Sequence, residues 1–459
     1  MFLPNLPKEI LLEIADYLDD AELNALARTN IEIYGLLDKH LYHRDLTNLR
    51  SRSLLWALSN GVKGTVERAL AAGKYLDPIP EAYYIALQVA ADEGHEDLVE
   101  LLLKVDGINP NLGLTAPLIL ASQRGHSAVV ELLLATANID VNIKDLFSAS
   151  ALCCACMIGY TSIVKQLLAR DDIDLNAYGF DGQLTPLITA SLHDDPEIVN
   201  LLLAKDGIDV NLVGLNGDTA LMLATRHRSV RVVKSLLARN DLDPNIVNSH
   251  GDHVLHFSVL LGRTIVKSLL DHPANVNPNV VGGNGLNRTA LMEACIAGEL
   301  DVVQLFLETK GIEINLQDTT GRTALCLAVC RSRCDITKLL LARDDIDPNL
   351  PDNEGRTALY WACNTGCLPI VKLLLEKNDV DPNVRDIFGC TPLASACLHK
   401  NIAIVRSLLS RHDIDPSIVD NIISQVMNNE HHEEIEYLLH TASARKMKAR
   451  STSILRHGL

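Results

Sequence analysis

The chain has 459 residues, of which 47% are hydrophobic and only 4% aromatic, with a formal net charge of −17. The apolar content excludes a disordered chain, and 26 Gly and 17 Pro exclude collagen-like and low-complexity classes. So acidic a body lacks the basic surface that a phosphate backbone needs, which excludes nucleic-acid binding by that body. Length alone suggests roughly three domains of about 150 residues. A core of Leu, Ile, Val and Ala with few rings suggests thin, close-packed helix layers instead.

The first elements lie in residues 1–46. Leu6-Pro7 opens a turn, and Leu11, Ile14 and Leu18 then fall on one face of a helix. Asp19-Asp20-Ala21-Glu22 breaks it. Leu23, Leu26 and Ala27 begin a second helix, and Ile33, Leu36, Leu37 and Leu41 suggest a third. Three short helices make a bundle too small to be very stable alone. The segment resembles an F-box: Leu-Pro-x-Glu-Ile-Leu at 6–11, the Leu18-to-Leu23 step, and Leu26-Ala27-Arg28-Thr29-Asn30. Tyr34, Leu37, Leu41, Tyr42 and Arg44-Asp45 resemble the end of F-boxes joined to repeat arrays in fungi. The resemblance implies docking on the Skp-type adaptor of a cullin–RING ubiquitin ligase through Leu6, Pro7, Ile10, Ile14, Leu18 and Leu23. Ile31-Glu32-Ile33 departs from the basic or aromatic residues many F-boxes carry there. The alternative is that these residues simply cap an array, since the open end of any solenoid needs a cover.

From residue 51 the chain repeats itself. Thr-(Ala/Pro)-Leu-x-x-Ala starts at Thr185, Thr219, Thr289, Thr323, Thr357 and Thr391, with weaker copies at Arg52, Ile85, Ala116, Ser150 and His253. Successive starts are 31–36 residues apart. Thr opens a helix, and Pro is harmless in its first turn. Gly nine residues later, in seven copies including Gly125, Gly262 and Gly298, closes the helix in a left-handed turn. Ile-Val-x-x-Leu-Leu is a second helix. Asp-x-Asn, and a Gly two before the next Thr, form a projecting turn. One unit cannot bury its apolar face; stacked neighbours can. The pattern closely resembles the ankyrin repeat over about residues 51–440, implying an all-α solenoid with β-hairpin fingers, about eleven repeats and a polar C-terminal cap at about 417–440. Extra residues near Val281–Gly285 should lengthen one finger. Residues 441–459, with 5 basic and no acidic groups, are expected to be a disordered tail.

No nucleotide-binding, nucleophile-elbow or zincin motif occurs, so no catalytic residue, cofactor or metal is expected. Cys326, Cys330 and Cys334 are four apart, as are Cys363 and Cys367, which on a helix would share a face. Their register beside the repeat Ala assigns them to packing. His95, His126 and His256 are expected to hydrogen-bond in turns. The uncharged run 146–164 is long enough to span a bilayer, but Gly159-Tyr160-Thr161-Ser162 breaks it; no membrane partner is expected. An odd number of cysteines, eleven, and no secretory signal suggest an intracellular, cytoplasmic or nuclear, protein, monomeric by itself.

The resemblance implies that partners bind at fingertips and on the inner helices. By register these positions include Leu146, Phe147, Ala149, Met157 and Ile158, and Ile387, Phe388, Cys390, Leu398 and His399. The target-binding face is therefore assigned to Phe147, Met157, Tyr178, Phe180, Phe388, Arg226, Arg322, Arg331 and Arg356, because aromatic and Arg side chains dominate interface energetics.

Overall fold

The computed structural model describes Ile14 and residues 57–73, 81–113, 115–194, 196–282, 285–426 and 433–444. Ile14 is helical and half-buried. Leu6, Pro7, Ile10, Leu18 and Leu23, and residues 445–459 of the tail, lie outside the described residues.

The chain divides into two compact units, Met1–Leu215 and Asn216–Leu459. In the first, helix pairs run from Glu81–Asp92 with Glu96–Leu103 to Pro186–Ala190 with Pro196–Leu203. In the second they run from Ala220–Arg226 with Val230–Leu237 to Pro392–Leu398 with Ile402–Leu409, followed by Pro416–Val426. Within each unit, first helices stack on first helices and second on second. The core is the seam between the layers, filled by aliphatic side chains such as Leu118, Val130, Leu152 and Leu167. The expected all-α solenoid is thus present in both units. Residues 433–444 are helical, burying Ile435 and Leu439 and exposing Glu433 and Glu434, so 441–444 of the expected disordered tail continue a helix instead.

The helix starts led by Thr are chemically specified. The Thr185, Thr219, Thr289, Thr323, Thr357 and Thr391 hydroxyls accept the backbone N–H three residues on, at 3.2–3.4 Å. Such a cap contributes about 1 kcal/mol. Gly125, Gly159 and Gly298 close helices in the left-handed conformation. Gly262 does not: its φ of 86° comes with an extended ψ of 173°, and it instead leads into Arg263–Leu270. In three repeats that lack Gly at this position the backbone turns anyway, with φ of 59° at Arg228, 54° at Ser332 and 57° at Lys400. A Cβ is costly there. Lys400→Gly should therefore raise stability by about 0.5–1 kcal/mol, read as a higher urea midpoint at unchanged slope.

The Asp-x-Asn turns hold the fingers in place. Asp140 accepts the Asn142 N–H and Asp347 the Asn349 N–H, each at 2.9 Å. The Asn then reaches the next repeat. In the first unit, Asn142 Nδ2 donates to the Asp172 carbonyl at 2.7 Å while its Oδ1 accepts the Asp174 N–H. In the second, Asn349 and Asn383 do the same to residues 379–381 and 413–415. The insertion forms the lengthened finger: strand β1 (Val281–Gly282) pairs antiparallel with β2 (Arg288–Thr289).

Candidate protein-binding face

Fingertips are built around one carboxylate or amide five residues before the helix-starting residue. Asp145, Asn248, Asp318, Asp352 and Asp386 each accept two backbone N–H groups of their own tip. Tips are then tied in series. In the first unit the Asp181 N–H donates to the Phe147 carbonyl at 2.8 Å. In the second the Asn353 N–H donates to the Thr320 carbonyl, and the Ile387 N–H to that of Glu354. Side chains on these tips are therefore presented on ordered backbone.

In the first unit, Phe147 is 62% exposed and stands beside exposed Leu146. Ala149, assigned to the same face by register, is fully buried, with its N–H spent on Asp145. Met157 is half-buried, and its carbonyl lies 2.8 Å from His193 Nε2. Tyr178 packs toward the next finger, its hydroxyl donating to the Val213 carbonyl at 3.0 Å. Phe180 is half-buried with φ of 51°.

In the second unit, Phe388 is 79% exposed, next to exposed Ile387, and Leu398 is also exposed. Arg226 is not a free cation. It forks onto buried Asp218 at 2.6 and 3.1 Å and lies 4.5 Å over the Phe257 ring. The remaining arginines gather around a tryptophan that sequence reasoning passed over. Arg322 lies 4.4 Å over the Trp361 ring and Arg356 lies 5.0 Å over it, with Arg356 also paired to Glu354. The indole N–H donates to Asp352 at 3.0 Å, which fixes the ring. Arg288 joins them, 3.4 Å from both Asp318 and Glu293. Arg331 is exposed, and among the described residues its side chain has no hydrogen bond or ion pair.

The signal for this cluster was in the sequence. Arg288, Arg322 and Arg356 each stand immediately before a repeat Thr, 34 residues apart. Burial alone would raise the Asp318 carboxyl; the Thr320 hydroxyl and the Arg322 and Thr320 N–H groups outweigh it and hold the group below its usual range. Between these elements lies a cleft of about 220 Å³, lined by Arg288, Arg322, Arg331, Trp361, Cys330 and neighbouring apolar groups.

Among the described residues, no group of three His, Cys, Asp or Glu is placed to hold a metal, and no helix is long and apolar enough to cross a membrane. The uncharged run 146–164 is divided between Ala151–Ile158 and Thr161–Leu168. The cysteine spacing marks a single helix face only for Cys326 and Cys330. Cys326 and Cys330 lie on Ala324–Cys330, whereas Cys334 begins Cys334–Leu341; Cys363 and Cys367 are likewise parted by a turn. His126 Nε2 lies 2.9 Å from the Asp92 carbonyl, the bonding expected of a turn residue.

Cys334 and Cys367 do meet, with their sulfurs 3.9 Å apart and both half-buried. Burial pushes the thiols of Cys154, Cys330 and Cys397 up to about 11, 12 and 12, which suppresses their thiolates. Burial and Cys367 raise the Cys334 thiol as well, so proximity decides: hydrogen peroxide should join Cys334 to Cys367 first, two thiols giving one disulfide and two waters. Peptide mapping of the oxidised chain checks this; a different first pair would refute it.

A family model described as ankyrin repeats (3 copies) matches residues 54–145, 118–214, 207–281, 278–352 and 344–420. No curated protein sequence matches the chain.

Proposed function

This chain belongs to the ankyrin repeat family, and on that premise we propose that it recruits a protein target to a cullin–RING ubiquitin ligase. Ankyrin repeats are protein–protein interaction modules and generally not enzymes. The observation that carries the target-binding half is the exposure of large apolar side chains, Phe147 and Phe388 above all, on hydrogen-bonded fingertips. Surface aromatics held on rigid backbone are effective interface anchors, because little conformational freedom is lost on binding.

The ligase half is supported by the Leu-Pro-x-Glu-Ile-Leu motif at residues 6–11 and the Leu18-to-Leu23 step. The family match begins at residue 54, so residues 1–46 rest on that motif alone. Affinity purification of the full chain, of a 1–46 deletion and of Leu6→Asp/Pro7→Ala tests it. The full chain should capture a Skp-type adaptor, and both variants should lose it while keeping the target. If neither variant changes the partners, residues 1–46 cap the array and the protein is a scaffold without a ubiquitin link.

A further inference from the structure

We propose that the Arg288–Arg322–Arg331–Trp361 cleft recognises the carboxylate of an Asp or Glu side chain in a partner peptide. The proposal rests on the reading that the array binds a protein.

Four observations converge on it. The first is unused donors. Arg322 carries five N–H donors, yet its nearest acid is Asp352 at 3.7 Å, beyond hydrogen-bond length, and its Nε is buried without a partner. Arg331 adds another uncommitted guanidinium, and both Arg288 ion contacts are long, at 3.4 Å. Guanidinium donors removed from water favour an anionic acceptor, above all one bound by two parallel N–H groups.

The second is pre-organisation. Trp361 is locked by its bond to Asp352, and Arg322 is stacked on the ring at 4.4 Å, so the guanidinium plane is set before a ligand arrives. The third is size. About 220 Å³ is smaller than typical small-molecule pockets, which run to roughly 300–1,000 Å³. It accommodates a side chain or two, not a cofactor.

The fourth is charge. Three arginines line the cleft and no acid does, on a chain of net −17. Asp318 and Asp352 stand behind the arginines, both buried. With Glu293, which pairs with Arg288, they already balance the three arginines, so a singly charged group is accommodated better than a doubly charged one. A carboxylate therefore suits the cleft better than a phosphate dianion.

The test is selection of phage-displayed dodecapeptides on the full chain, followed by affinity measurement of the enriched peptides by fluorescence anisotropy. Enriched peptides should share an acidic position. Changing that residue to Gln or Asn, or making Arg322→Gln or Arg331→Gln, should weaken binding about 10- to 100-fold. Arg170→Gln, at an exposed ion pair with Asp172 outside the cleft, should leave it unchanged. Arg331 is exposed and unpaired, so its variant decides the matter even if Arg322→Gln fails to fold.

Enriched peptides without an acid, or binding insensitive to both cleft variants, overturn the cleft assignment while leaving the array a protein binder. Tighter binding when phosphoserine replaces the acid overturns the choice of a carboxylate. If no peptide is enriched the cleft proposal falls. If no partner is then captured by purification either, the target-binding reading falls with it.

Discussion

Lowering the pH from 6.5 to 4 should cost roughly 3 kcal/mol of folding stability through one side chain, His253. Burial first, and nearby His256 second, depress this imidazole from 6.5 to about 4, against weak opposition from Asp243. A folded-state value below the unfolded one means the unfolded chain takes the proton more readily. The stabilisation is whole above pH 6.5 and is lost as pH falls through 4. The geometry gives the reason. His253 starts a helix where other repeats use Thr, and its Nδ1 accepts the Leu255 N–H at 3.1 Å. A proton on Nδ1 removes that acceptor and leaves a charge among buried groups. His256 is bound into the same corner, its Nε2 2.9 Å from the Arg288 carbonyl. Urea melts at pH 7.5, 5.5 and 4 should show the loss, and His253→Thr, which keeps an acceptor that does not titrate, should remove that component. If both proteins lose stability equally, the acid response lies elsewhere.

Phe306→Ala should destabilise the second unit by about 3–5 kcal/mol. Phe306 lies on Leu300–Glu308 and is fully buried. Other repeats place Leu236, Leu269, Leu340 and Leu374 at this position, all equally buried. The thin layers thus take one ring in place of an aliphatic chain, and its removal leaves a cavity that helices on both sides cannot close. Phe306→Leu restores the residue the other repeats use and should cost less than about 1.5 kcal/mol. Chemical denaturation measures both. Hydrogen exchange should place the loss in residues 254–341, because a repeat contacts only its neighbours. Equal costs for Ala and Leu would show that the ring itself, not its volume, is what the site needs.

Most of the fold could be read from the sequence because the same physical problem is solved many times over. Thr before each first helix, Gly after it, and Asp-x-Asn in the turn recur at a period set by one helix pair. What escaped was whatever depends on the neighbouring repeat. The reading gave Asn142 and Asn349 to a local turn, but each also bonds the following repeat, and a pattern within one unit cannot show that. Arg226 and Arg322 were assigned to the same face from two different register positions, seven after and one before a repeat Thr. One meets buried Asp218 on its own repeat, and the other meets Trp361 from the next. Arg228, Ser332 and Lys400 hid their left-handed turns because the stacked helices impose a conformation their own side chains disfavour.

The asparagine ties bear on how such a chain changes its length. Asn142 finds its acceptors about 30 residues on, and Asn349 and Asn383 do so as well, each in the adjoining repeat and none farther away. Duplicating or excising one whole period in these stretches leaves every surviving Asn with a partner of the same kind. Losing half a period would strand a donor and an acceptor at once. Copy number is therefore free to drift in whole steps, while the junction between copies is held fixed, so recombination can remodel the binding face without renegotiating the scaffold.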